Sequence, residues 1–262
     1  MTRTNSLRTA IDRDEPVLGA AAATYAPTVV ETFGAVGLDF VWVDFEHAGP
    51  SPYDSTVLEN LTRAAEVAGT ELLVRLPAPD PHLVRKVLDA GVTTILIPRI
   101  ETAEEVRRVA DAAHYAYEGA PGDRGIGIGR ASGWGADLGE YVEEADDAVV
   151  IGAMIENRRA VENLEEILSV PGLDFAFVGP ADLSVSLGRP MEKSHPDVQA
   201  AVDRIEETVR ESPVALAGIR NDPAEAADAI ESGYRLLRIG GDLAAARTVL
   251  SSRLEAIRSE SR

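Results

Sequence analysis

The candidate chemistry of this chain is concentrated where its apolar runs end. FVWVDFE (40–46) closes on Asp44 and Glu46 and is followed by His47. ELLVRLP (71–77) carries Arg75, and TILIPRI (94–100) carries Arg99 ahead of Glu101. AVVIGAMIE (148–156) ends in Glu156, FAFVGP (175–180) leads into Ala181 and Asp182, and LLRIGGD (236–242) ends in Asp242. Charge at the end of an apolar run is costly unless it is paired, hydrated or bound to a metal. Glu156 and Asp182 follow consecutive runs, so two carboxylates at neighbouring strand tips would ligate one hard divalent cation, Mg²⁺ or Mn²⁺, with room for water and substrate oxygens. The alternative for the pair is helix capping, since Asp182 stands where a helix should start. His47 is the one histidine of four at the end of a run, and a neutral imidazole there is a base near pH 7; otherwise it is an ordinary loop histidine. Arg75 offers a fork for a substrate carboxylate or an enolate oxygen, or else an ion pair with Asp44 or another rim carboxylate.

These residues need a scaffold that brings strand ends together. Two further runs, VLGAAAAT (17–24) and VALAGI (214–219), bring the strand candidates to eight. Most are continuously apolar rather than alternating, the pattern of parallel strands covered on both faces. Helical patterns lie between them: DPHLVRKVLDAG (80–91), TAEEVRRVADAAHY (102–115), ENLEEILSV (162–170), VQAAVDRIEETVRES (198–212) and DPAEAADAIESG (222–233). Thr102 with Glu105 has the spacing of a capping box. Eight units of about 33 residues suit an α/β chain folded as a (β/α)₈ TIM barrel, in which catalytic groups lie at the C-terminal ends of the strands. The expected organisation is one barrel domain over 1–262, with an irregular glycine-rich insertion at about 119–144 and a C-terminal helix at about 243–258. A doubly wound open sheet is the alternative, but no dinucleotide glycine pattern follows the first strand. RGIGIGR (124–130) lacks the lysine of a phosphate-binding loop and reads better as a lid or a subunit-contact loop.

Composition narrows the classes further. With 44 acidic against 25 basic residues the formal charge is −19, which argues against nucleic-acid and anionic-membrane partners. The absence of cysteine excludes disulfides, thiolate nucleophiles and cysteine-ligated metals. Lys86 and Lys193 are the only lysines, and neither falls at a strand exit, which disfavours Schiff-base chemistry. No apolar run approaches the ~20 residues of a membrane span, and the polar start does not read as a signal peptide. A soluble cytoplasmic protein is expected. Acidity with so few lysines points to a high-salt, halophilic habitat, or more plainly to solubility.

Taken together, VDFEHAGPS (43–51), VRLP (74–77), the RG-x-G loop with RAS-x-W (130–134), MIEN (154–157) and VGPADLS (178–184) resemble the HpcH/HpaI aldolase family of metal-dependent pyruvate aldolases. The resemblance runs over nearly the whole chain. It implies reversible cleavage of a 4-hydroxy-2-oxo acid to pyruvate and an aldehyde, with His47 as base, Arg75 stabilising the enolate, and Glu156 and Asp182 holding the metal. It implies that the backbone at Ala181 and Asp182 contacts the pyruvate carboxylate, and that Asp44 orients its neighbours. Asp89 matches an aspartate that raises the basicity of the histidine. As Asp89 ends a helix, it faces the wrong end of its own barrel and would serve a neighbouring subunit's site, in keeping with a homo-oligomer, hexameric by resemblance. One departure is Met154, where the family often has a substrate-binding glutamine; a thioether cannot donate that hydrogen bond. The competing readings are an acyl-CoA lyase resembling the citrate-lyase β-subunit group, and a degenerate barrel kept for binding.

Overall fold

The apolar runs close into a parallel barrel in the computed structural model, which describes residues 4–136 and 138–260. In chain order the elements begin α1 (Ser6–Asp12), β1 (Val17–Ala21), α2 (Pro27–Val36), β2 (Phe40–Asp44), α3 (Ser55–Ala68), β3 (Glu71–Arg75), α4 (Pro81–Asp89), β4 (Thr94–Ile97) and α5 (Ala103–Ala113). A small hairpin follows, β5 (Ala116–Tyr117) and β6 (Ala120–Pro121), then α6 (Tyr141–Ala148), β7 (Val150–Ile155), α7 (Arg158–Glu162) and α8 (Leu164–Leu168). The chain continues through β8 (Phe175–Val178), α9 (Pro180–Ser186), α10 (Pro196–Arg210), β9 (Ala215–Ile219), α11 (Pro223–Glu231), β10 (Tyr234–Gly241) and α12 (Asp242–Glu260). Around the barrel the strand order is β1-β10-β9-β8-β7-β4-β3-β2.

Both strand faces are buried, which is why the runs are continuous. Phe40, Trp42, Leu73, Leu96, Met154, Phe177 and Leu236 fill the interior. The alternate residues, among them Val41, Val43, Val74, Ile95, Ile151 and Leu237, pack under the helices. Gly152 belongs to this jigsaw, because a Cβ there would stand 2.1 Å from the Phe175 ring. Four of the outer helices start at acidic or hydroxyl side-chain caps: Asp54, Asp80, Thr102 with its capping box, and Asp222.

Three local features differ from the sequence reading. The stretch 162–170 is not one helix; α7 and α8 meet at Asn163, whose side-chain amide donates to the carbonyl of Glu101 instead of facing solvent. The irregular segment expected to reach 144 gives way to α6 at Tyr141. The polar N-terminus forms α1, which seals the N-terminal end of the barrel: Leu7 is buried among Phe40 and Leu73, and Asn5 caps the helix. Among the described residues no helix is long and apolar enough to cross a membrane.

Candidate active site

Asp44 is the last residue of β2 and Arg75 the last of β3, paired in register across the two strands. Their side chains meet in a fork, Arg75 Nε donating to Oδ1 at 2.9 Å and Nη2 to Oδ2 at 2.6 Å. The Glu46 amide also donates to Asp44 Oδ1. Burial alone would raise the Asp44 carboxyl, but the Arg75 fork and the amides outweigh it and hold it below the ordinary range. Arg75 is buried over the Trp42 ring, its guanidinium carbon 5.4 Å from the centroid. Of the two alternatives left open for Arg75, the structure shows the ion pair with Asp44, which fixes its guanidinium in the barrel mouth.

Further carboxylates crowd this pair. Glu46 Oε2 lies 2.8 Å from Arg75 Nη1 and 3.4 Å from His47 Nε2, yet it is buried and makes no aligned hydrogen bond. Burial pushes the Glu46 carboxyl up against the pull of Arg75 and His47. Glu156, just past β7, is 3% exposed. Its Oε1 accepts from the Arg99 amide at 2.7 Å, and Arg99 turns that amide toward it from a left-handed backbone, φ 56°. Burial, reinforced by the negative charge of Glu46 and Asp182 and opposed by the Arg99 hydrogen bond, raises the Glu156 carboxyl to about 7. Gly179 permits this seat: a Cβ there would lie 2.7 Å from Glu156 Cβ and 3.0 Å from Oε2. Asp182 is exposed in the first turn of α9, beside Ala181. His47 is also exposed. Met154 is buried, its sulfur 3.7 Å from Arg75 Nη1.

Asp44, Arg75, Met154, Ala181 and Asp182 line one cavity of about 980 Å³ at the C-terminal mouth. Asp89 is not brought there. It ends α4 at the opposite end of the barrel, its backbone oxygen accepting from the Ala131 amide and its carboxylate facing Gly127 of the insertion. Burial raises the Asp89 carboxyl despite Arg124, Lys86 and Arg85 nearby.

Sequence reasoning passed over several residues of the mouth. Glu46 was visible at its run end but was given no role. Lys193, which falls at no strand exit, is carried by its loop to the rim of the same cavity. Arg238, an arginine inside an otherwise apolar strand run, lines the cavity and lies over the Trp42 ring, 5.7 Å from its centroid. That interruption of LLRIGG by arginine was the available signal.

A closed parallel barrel with ionisable groups gathered at its C-terminal mouth is an enzyme of the (β/α)₈ class. Comparison with known proteins places it more closely. The model of the HpcH/HpaI aldolase/citrate lyase family matches residues 22–248, and the chain belongs to that family. It is 34% identical to a hydroxypyruvate/pyruvate aldolase of Paraburkholderia phytofirmans over 92% of this chain and 93% of that protein. It is 32% identical to a 2-keto-3-deoxy-L-rhamnonate aldolase of Klebsiella pneumoniae over 98% of this chain and 94% of the relative. Its fold is similar to the crystal structure of a family protein from Burkholderia cenocepacia, with TM-score 0.90, 33% identity and coverage of 97% and 100% of the two chains.

Proposed function

We propose that the chain is a divalent-metal-dependent pyruvate aldolase, cleaving a 4-hydroxy-2-oxo acid reversibly to pyruvate and an aldehyde. The observation that carries this reading is the set of carboxylates packed around Arg75 in the barrel mouth, with Glu156 buried among them. Such a set is repulsive by itself and suits a hard cation. No group of three or more carboxylates and histidines is gathered into a ready cage among the described residues. The donor set we propose is Glu156 with Asp182, as the resemblance implies, with Mg²⁺ or Mn²⁺ drawing its remaining oxygens from water and substrate. The raised Glu156 carboxyl is relieved by positive charge at this place.

The cation would supply Lewis-acid polarisation of the 2-oxo group. The chain's own residues do the rest. Arg75, held by the Asp44 fork, presents a fixed cation to the negative charge that grows on the keto oxygen as the C3–C4 bond breaks. His47 takes the 4-hydroxyl proton, with Glu46 Oε2 3.4 Å from its Nε2. The backbone at Ala181 and Asp182 contacts the carboxylate of the 2-oxo acid. Met154 leaves an apolar wall where a glutamine would donate, and so shifts substrate preference.

A homo-oligomer, hexameric by resemblance, completes the proposal. Ile126, Ile128 and Trp134 of the insertion are exposed close to Asp89, and α12 exposes Leu243, Leu250, Leu254 and Ile257. Asp89 would then act in a neighbouring subunit's site. A cytoplasmic location and a high-salt habitat fit the strongly acidic, lysine-poor composition. The test is a panel of aldehydes incubated with pyruvate and Mn²⁺ or Mg²⁺, with products followed by mass spectrometry. Aldol products with at least one hydroxylated aldehyde are expected. No product with any aldehyde, alongside cleavage of malyl-CoA, would overturn the reading in favour of an acyl-CoA lyase.

A further inference from the structure

We propose that Tyr25 is a positioning residue for His47, its hydroxyl and ring setting the turn that carries the base over the cavity. This rests on the aldolase reading and adds to it a residue from the exit of β1.

The place for such a residue is made by the ladder between β1 and β2. Ala20 and Ala21 pair with Val41 and Trp42, and the Ala22 amide donates to the Trp42 carbonyl at 2.9 Å. In a parallel ladder the next donor would be the amide two residues on, that of Thr24, and its acceptor the Asp44 carbonyl. The chain turns away first. The Ala23 amide and the Thr24 amide and hydroxyl all donate to the Asp242 carboxylate at the start of α12. The Tyr25 hydroxyl takes that place in the ladder and donates to the Asp44 carbonyl. Burial and the nearby Asp44 charge push the Tyr25 phenol up to about 12, so it stays protonated and donating at neutral pH.

Tyr25 also meets the other end of the same turn. A Cβ on Gly49 would stand 2.3 Å from Tyr25 Cζ and 2.6 Å from its hydroxyl oxygen, so the Gly49 backbone lies directly on the ring. Gly49 makes that approach at φ 86°, a conformation open to glycine. On its own side the ring packs against buried Phe45, with centroids 5.7 Å apart. His47 lies between these two anchors, three residues after Asp44 and two before Gly49. The His47 ring is exposed and its amide reaches Asp44 Oδ1 only at 3.5 Å, so the ends of the turn decide where the imidazole stands. Tyr25 is held for this in a left-handed backbone, φ 53°, which is costly for an aromatic residue and clusters at functional sites. It lines the same cavity as Asp44 and Arg75. Arg75 is fixed separately by its fork to the Asp44 side chain, and Glu156 and Asp182 follow β7 and β8 across the barrel. Loosening the turn therefore leaves the 2-oxo acid end in place.

The experiment compares Tyr25→Ala and Tyr25→Phe with the wild type, metal-loaded, on pyruvate and an accepted aldehyde, beside amide hydrogen exchange read by mass spectrometry. Tyr25→Ala should lower kcat by about 100-fold, the scale of a misplacement of about 1 Å, with KM for pyruvate within about twofold of wild type. Tyr25→Phe keeps the ring and should stay within about tenfold of wild type, the scale of one lost hydrogen bond. Peptides covering 45–51 should exchange at least about tenfold faster in Tyr25→Ala, with those of β7 and β8 unchanged. Should Tyr25→Ala not fold, Tyr25→Leu takes its place. An unchanged kcat, a loss carried by KM, or exchange that is unchanged at 45–51 or raised throughout the barrel would overturn the role of Tyr25. No aldol product from the wild type would instead sink the aldolase reading, and exchange at 45–51 would still decide whether Tyr25 holds the turn.

Discussion

The two ends of the barrel bury polar groups in opposite ways. At the N-terminal end the Asn5 amide donates to the hydroxyls of Thr93 and Thr94 and to the Ala148 carbonyl, while its oxygen accepts from the Leu7 and Arg8 amides. Arg8 pairs with Asp174 and donates to the Val149 carbonyl. Two side-chain atoms at this end lack a partner among the described residues, the Thr70 hydroxyl and Nε of Arg124, whose Nη atoms donate to the Ala113 carbonyl and the Tyr141 hydroxyl. At the C-terminal end Glu46 Oε2 and Arg238 Nε are buried without hydrogen bonds, Glu156 is raised to about 7, and Arg99 holds a left-handed backbone to reach it. Satisfied polarity closes one end and fixes the register of the plug. At the other end the perturbed groups, Glu46, Glu156 and Arg238, gather around the strand exits, which is where perturbed groups belong in an enzyme.

Breaking each end should therefore break a different property. The largest effect is expected from Glu156→Gln, which should lower kcat/KM for aldol cleavage by about 1,000-fold or more, while thermal melting of the metal-free protein shows no loss of stability because the amide oxygen still accepts from Arg99 and a raised, repelled carboxylate has been removed. A lower melting temperature would mean that Glu156 is structural. Leu7→Ala should do the opposite. Urea unfolding should show a loss of about 3 kcal/mol from the buried plug, with kcat/KM at 25 °C within about twofold of wild type; a large activity loss at unchanged stability would break the division between the ends. The smallest effect is in acid. The native Asp44 carboxyl lies below its unfolded value of about 3.9. The native state thus binds fewer protons there, and this contribution is complete above that pH and fades as pH falls through the native value. In Asp44→Asn the acid limb of stability should be shallower between about pH 4 and pH 2, as read by urea midpoints; an unchanged limb would show that the fork contributes nothing to folding.

The barrel was legible because burial on both strand faces writes itself as continuous apolar runs, and most of the mouth was legible because a charge at the end of such a run has few other reasons to be there. What escaped depends on geometry that spacing does not carry. Arg238 sits within a strand rather than at its end, so a reading of run ends passes over it. Lys193 belongs to a loop whose path over the rim is set by packing around α9 and α10, not by a local pattern. Arg99 acts through a backbone amide, which residue type does not reveal. Leu7 and Ala10 are too few to announce a plug in so polar a stretch. Asp89 was placed correctly at the far end by its helix alone, and whether a neighbouring subunit brings it to His47 is a property of the assembly.

The most direct test of the central claim is a single paired assay on the purified enzyme with pyruvate and an accepted aldehyde. Activity should disappear with EDTA and return with Mg²⁺ or Mn²⁺, and borohydride added with pyruvate should leave the intact mass of the protein unchanged. Activity that survives EDTA, with borohydride fixing pyruvate on Lys193 at the cavity rim, would contradict the account and make this barrel a Schiff-base enzyme.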